Sequence, residues 1–130
     1  MTDAFPFLMF TGRAEEAMNF YVSVIPGSCV IDIKRYGKED PKREGQVMLA
    51  RFELAGKEYH CIDSPPVHAF TFTPSMSSFV ECDSEADLDR VYASLLEGGQ
   101  ALMGLGNHGF SRKYGWVNDR FGVSWQLNLA

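Results

Sequence analysis

The chain reads as an α+β protein built from two tandem βαβββ units, and three observations predict it. Two amphipathic helical stripes occur, and each lies between one short apolar run and three strand-like runs. A proline-bearing segment separates the two series. The helical segments can also be laid over each other: Phe20 to Gly27 on Val91 to Gly98 makes Tyr, Ser and Gly coincide. Similar order and similar helices together indicate an internal duplication.

The elements follow in sequence. Phe5 to Phe10 is a short apolar run suited to a buried strand. Thr11-Gly12 breaks it, and Ala14, Ala17, Met18, Tyr21, Val22 and Ile25 then form one helical stripe. Glu15 and Glu16 sit in the first turn, where the helix dipole favours acids, and Pro26-Gly27 ends the helix. Cys29 to Tyr36 reads as a strand, and a charged loop from Gly37 to Gly45 follows. Gln46 to Leu54 is the next strand, with Met48, Ala50, Phe52 and Leu54 on one face and Val47, Leu49, Arg51 and Glu53 on the other. Ala55-Gly56 turns the chain into Lys57 to Asp63.

Residues 64 to 75 form the linker, opening with Ser64-Pro65-Pro66, where paired prolines exclude regular helix and sheet. The repeat therefore spans 5–63 and 76–129 within a single domain of residues 1–130. Met76 to Cys82 is a strand, and Ser84 to Asp87 resembles a capping box with Asp in the acidic position. Leu88, Val91, Tyr92, Leu95 and Leu96 make the second stripe, closed by Gly98-Gly99. Gln100 to Met103 is a short strand, followed by a glycine-rich loop. Tyr114 to Asn118 and Val123 to Leu129 form the last hairpin, around Asp119 to Gly122. In its final strand Val123, Trp125, Leu127 and Leu129 alternate with Ser124, Gln126 and Asn128, so the polar row meets either water or a pocket.

Composition excludes several classes. With 45% apolar and 13% aromatic residues the chain can bury a real core. Its net charge of −5, with the one basic cluster interleaved with acids, argues against nucleic acid or an anionic membrane. No stretch is long and apolar enough for a membrane span, and the N-terminus has no secretory pattern. Cys29, Cys61 and Cys82 are far apart and odd in number, so they read as buried free thiols in a cytoplasmic protein.

Specific strings then narrow the family. Phe7 to Phe10 followed by Gly12 and Ala14 to Tyr21, His68 to Ser75, and Tyr114 to Gln126 are similar to PhnB-like proteins, a branch of the vicinal-oxygen-chelate superfamily of glyoxalases and bleomycin-resistance proteins. That branch often carries the label 3-demethylubiquinone-9 3-methyltransferase. The resemblance implies curved mixed sheets around a cleft, helices on their convex sides, Trp125 packed beneath a helix and Gln126 facing the cleft. It further implies metal ligands on the first and fourth strands of each unit. Those positions fall near Pro6 or Leu8, on His60, near Ser77 and on Gln126. One His, one Ser and one Gln are not a full donor set, so His60 and Gln126 are at most partial ligands and no cofactor is expected.

Other chemistry is weighed residue by residue. Gly104 to Gly109 matches G-x-G-x-x-G, yet no helical stripe follows, so dinucleotide or S-adenosylmethionine binding is not expected. His68 and His108 fall in loops, and a His60/His108 iron triad rests on inventory alone. Cys61 lies on the face opposite His60, which disfavours a nucleophile pair. His60, Ser77, Tyr114, Trp116 and Gln126 are the pocket candidates, with Arg51 read as a surface strand charge. The expected function is metal-free binding of a small apolar or aromatic molecule by a homodimer. The alternatives are a metal-dependent lyase, isomerase or dioxygenase and, last, a methyltransferase.

Overall fold

The computed structural model describes residues 1–130, and the chain divides into two compact units, Met1–Ala69 and Phe70–Ala130. The first contains β1 (Phe7–Phe10), α1 (Ala14–Val24), β2 (Cys29–Arg35), β3 (Val47–Leu54) and β4 (Lys57–Asp63). The second contains β5 (Ser78–Glu81), α2 (Glu85–Leu96), β6 (Gln100–Gly106), β7 (Lys113–Asn118) and β8 (Ser124–Leu129). Each unit is thus βαβββ, as the order of elements implied. The sheets have orders β1-β4-β3-β2 and β5-β8-β7-β6. In each, the first strand runs parallel to the fourth, and the remaining pairings are antiparallel.

In the first unit the helix buries Ala14, Ala17, Met18, Tyr21 and Val24. Ala50, Phe52 and Leu54 of β3 and Cys61 of β4 are buried with them. Val24 rather than Val22 is buried, because the helix ends there and Ile25 turns to extended backbone. The expected face of β3 is also corrected at its start. Lys34 pairs with Leu49 and Arg35 with Val47, so Met48 is an extra, unpaired residue. Such a bulge reverses the side-chain alternation, and Val47 is the fully buried residue while Met48 is half-buried. Ala55 (φ +51°) and Gly56 (φ +82°) make a two-residue hairpin whose left-handed residues match the strand twist.

In the second unit, Leu88, Val91, Tyr92 and Leu95 of the helix are buried, as are Val117 of β7 and Trp125, Leu127 and Leu129 of β8. Ser84 caps α2, its hydroxyl accepting from the Asp87 N–H at 3.1 Å. The Asp87 carboxylate pairs instead with Arg90 at 3.2 Å, so half of the expected box forms. The duplication is visible at the helix ends: Gly27 and Gly98 both adopt φ +73°, where a side chain would be strained. The expected short strand at Gln100 runs on to Gly106, since Met103 pairs with Trp116 and Gly106 with Tyr114 across two register shifts.

Two buried carboxylates organise these units. Asp63, 1% exposed, accepts through Oδ1 from the N–H groups of Gly12 (2.7 Å) and Ala14 (3.0 Å), and through Oδ2 from Val47 (3.0 Å). It supplies the N-terminal cap that Arg13, with no side-chain cap bond, does not provide. Asp119, 3% exposed, accepts from the N–H groups of Phe121 (2.8 Å) and Val123 (3.0 Å) and from the Trp125 indole (2.9 Å). The indole burial expected for Trp125 is thus accompanied by a hydrogen bond to its own hairpin.

The thiols are all unpaired, but Cys29 is exposed rather than buried, because it begins edge strand β2. Burial raises Cys82 above the usual thiol range and pushes Cys61 up to about 12.

Two predictions follow from these placements. Asp63→Asn keeps one acceptor oxygen but sets an amide donor against a backbone N–H, and should cost about 2–4 kcal/mol in urea unfolding; a loss below about 0.5 kcal/mol would remove Asp63 from its organising role. At about pH 8 a disulfide reagent should titrate one thiol quickly and the other two slowly until the chain is unfolded. Cys29→Ser should delete the fast phase, and a fast phase surviving that change would contradict the burial of Cys61 and the half-burial of Cys82.

Candidate functional site

Each helix covers one face of its sheet, which leaves the opposite face to carry polar side chains. On the second sheet this face is built by alternation. Gly115 and Val117 of β7 turn toward α2, where a Cβ on Gly115 would lie 2.5 Å from the Tyr92 ring. Tyr114, Trp116 and Asn118 therefore project the other way. Register then sets Tyr114 beside Asn128, Trp116 beside Gln126 and Asn118 beside Ser124.

These side chains are joined by hydrogen bonds. The Tyr114 hydroxyl donates to Gln126 Oε1 at 2.5 Å, and Gln126 Nε2 donates to Ser77 Oγ at 2.7 Å. Trp116 Nε1 donates to Ser124 Oγ at 2.8 Å, and Asn128 Nδ2 to Glu81 Oε2 at 3.1 Å. The polar row of β8 is thus largely enclosed: Ser124 and Asn128 are buried and Gln126 is half-buried. The Oδ1 atoms of Asn118 and Asn128 are buried acceptors with no partner, each a cost of about 1–3 kcal/mol. Burial raises the Tyr114 phenol above its ordinary range, keeping it a neutral donor.

Aromatic rings surround this relay. Phe110 meets Tyr114 edge-on at 4.8 Å, His108 meets it edge-on at 5.8 Å, and Phe79 lies 6.5 Å away. Phe79 and Phe110 remain exposed, at 52% and 63%. Phe79, Phe110 and His108 are site residues that sequence reasoning missed. The parallel register of Phe79 with Gln126 could not be read from periodicity. His108 is exposed, as expected, with Nε2 2.7 Å from the Gly104 carbonyl.

The first sheet repeats these addresses with different chemistry. Phe7 pairs with His60 as Phe79 pairs with Gln126, and Arg51 pairs with His60 as Trp116 does with Gln126. His60 Nε2 lies 2.6 Å from Glu58 Oε2, and its ring lies against Phe5 at 4.0 Å between centroids. Arg51 does pair as a surface charge: its Nε lies 3.1 Å from both Asp32 carboxylate oxygens and its Nη2 2.5 Å from Oδ2. That hydrogen bond lowers Asp32 and raises Arg51 from their ordinary ranges. His60 also lowers Asp32 through its charge, and Glu58 raises Arg51, so the four groups form one electrostatic row.

The donors do not suit the metal that the fold family implies. The first-strand partner of His60 is Phe7 and that of Gln126 is Phe79, and neither phenyl ring can ligate. No three His, Cys, Asp or Glu side chains converge within either unit.

Two surface cavities lie apart from the five candidates. One, of about 390 Å³, runs between Phe5–Pro6 and the β3–β4 turn, with Glu58 in its wall. The other, of about 360 Å³, lies at the start of α2 beside Arg112 and Lys113, whose ammonium is held by Glu85 at 2.9 Å and Asp89 at 2.7 Å. Gly104 to Gly106 of the glycine-rich string close strand β6, and no helix follows, so the string builds no phosphate cradle. No helix is long and apolar enough to cross a membrane.

Comparison with known proteins places this geometry. The family model described as 3-demethylubiquinone-9 3-methyltransferase matches residues 2–128. The PhnB protein from Bacillus cereus is 50% identical, with a TM-score of 0.95 over 99% of this chain and 100% of that one. Protein PA1353 from Pseudomonas aeruginosa is 26% identical, with a TM-score of 0.84 over 99% and 98%. A glyoxylase/bleomycin resistance protein/dioxygenase domain from Frankia sp. shares the fold at 12% identity, with a TM-score of 0.68 over 100% and 98%. No protein among those with curated descriptions matches the chain. Matched across nearly its whole length, with two βαβββ units that share the fold of a glyoxylase/bleomycin-resistance domain, the chain is PhnB-like and belongs to the family described as 3-demethylubiquinone-9 3-methyltransferase.

Proposed function

We propose that this protein binds a small apolar or aromatic molecule on the open face of its second sheet, without a metal. The observation that carries the proposal is the Ser77–Gln126–Tyr114 relay, held rigid by bonds of 2.7 and 2.5 Å and walled by Phe79 and Phe110. A few fixed polar groups among apolar rings are the usual make-up of a small-molecule site. The rings supply contact area at low entropic cost, and the relay supplies orientation. Trp116 stands beside Gln126 on this face, so it reports on occupancy.

Glyoxalase-type lyase, isomerase or dioxygenase chemistry would need a ligand set, which two phenylalanines at the first-strand positions do not supply. Methyl transfer as the family description names it finds no glycine-lined cofactor cradle in this chain. The three unpaired thiols suit a reducing cytoplasm. Strand β2, an exposed sheet edge, offers a surface through which two copies would associate.

Titration with planar aromatic probes such as 1-naphthol should quench tryptophan emission with saturation. Trp116→Phe should abolish the response, and Tyr114→Phe should weaken binding about tenfold through loss of one buried hydrogen bond. A response carried entirely by Trp125 would overturn the assignment. About one metal ion per purified chain, lost in His60→Ala, would overturn the metal-free reading, and calorimetry with S-adenosylmethionine should give no heat of binding. Sedimentation equilibrium should return twice the chain mass.

A further inference from the structure

We infer that the open face of the first sheet carries a second site, in which the Glu58–His60 pair takes a proton from a weakly acidic hydroxyl compound and Arg51 holds the resulting oxyanion. Nothing in the aromatic site of the second sheet is needed for it. The inference rests on how the imidazole is held. Glu58 Oε2 lies 2.6 Å from His60 Nε2, and a carboxylate can only accept, so this nitrogen carries the ring hydrogen. In the neutral ring the lone pair then sits on Nδ1. That atom accepts no hydrogen bond within the chain and is not among the buried orphan atoms, so it is open to a ligand. A carboxylate that sets the tautomer and waits to stabilise an imidazolium is the arrangement that turns histidine into a base.

The surroundings fit a planar acid. The imidazole is packed at 4.0 Å against Phe5 and at 6.2 Å from Phe7, so one side of the site is apolar. On the other side Arg51 is the antiparallel partner of His60. Its Nε and Nη2 are occupied by Asp32, which aims the guanidinium and leaves Nη1 unused. The charged groups on this face are Glu58 on β4, Arg51 and Glu53 on β3, and Asp32 and Lys34 on β2, while β1 contributes only the apolar Phe7 and Met9.

The step balances without a co-reactant. The ligand O–H bond breaks, an Nδ1–H bond forms, and the electron pair stays on the ligand oxygen. The positive imidazolium is then flanked by the Glu58 carboxylate, and the negative oxygen by Arg51. Phenols acidified by electron-withdrawing groups and stabilised enols are the ligand class, because their anions are planar and form near neutral pH.

The probe is 4-nitrophenol, whose anion alone absorbs strongly in the visible, added to the full chain about one pH unit below the free phenol's midpoint. Protein should raise the phenolate band with saturation. His60→Gln should abolish the rise, Arg51→Met should weaken binding about tenfold, as expected for a lost charge-assisted contact, and His68→Gln should leave the band intact. No rise with wild type, or a full rise with His60→Gln, would overturn the site. Nitrogen-15 NMR of the unmutated protein gives a test free of folding effects. Proton on Nε2 and a bare Nδ1 are expected for His60, and the reverse tautomer overturns the inference.

Discussion

Burying a carboxyl group is costly unless its oxygens find donors, and this chain satisfies two such groups. Asp63, on the last residue of its sheet's fourth strand, gathers donors from the start of α1 and from the start of β3. One side chain therefore ties a helix terminus, 49 and 51 residues away in sequence, to both strands of the β3–β4 hairpin. Asp119 plays the corresponding part at the β7–β8 turn and reaches the indole of Trp125 as well. Neither carboxylate is available for chemistry, since both are spent on backbone and indole donors. What they secure is the register of the strands, and the register decides which side chains meet on the open faces.

The two open faces show what duplication leaves free to vary. Helix-facing sheet positions are held to apolar residues in both units, and Tyr21 of α1 and Tyr92 of α2 are buried alike against their sheets. On the other face the backbone addresses are shared but the residues are not. Phe7, His60, Arg51 and Asp32 form a charged row in the first unit, whereas Phe79, Gln126, Trp116 and Met103 form an aromatic and amide row in the second. Packing against the helix constrains the first set, and the second set escapes that constraint.

Much of this architecture was legible because hydrophobic periodicity is a local property. The helical stripes, the βαβββ order and the Ala55-Gly56 and Asp119–Gly122 turns all follow from neighbours within a few residues. The bulge at Met48 was not, because it depends on how β2 is paired. The extension of β6 through Gly106 was missed for the same reason: glycine lowers strand propensity locally, but pairing with β7 supplies what propensity lacks. Cys29 looked apolar by its neighbours and proved exposed because it begins an edge strand.

For the candidate residues, the sequence by itself determined their kinds and their parity. Alternation set Ser124 and Gln126 opposite Trp125 and separated Cys61 from His60, while Tyr114 and Trp116 could be read from the sequence as either core or pocket. Only the tertiary structure decided their partners. The Gln126 amide bridges Ser77 and Tyr114, and His60 is fixed by Glu58 and covered by Phe5. The physical reason is that a hydrogen bond needs atoms within about 3 Å, and strand register, set between segments tens of residues apart, is what brings them there.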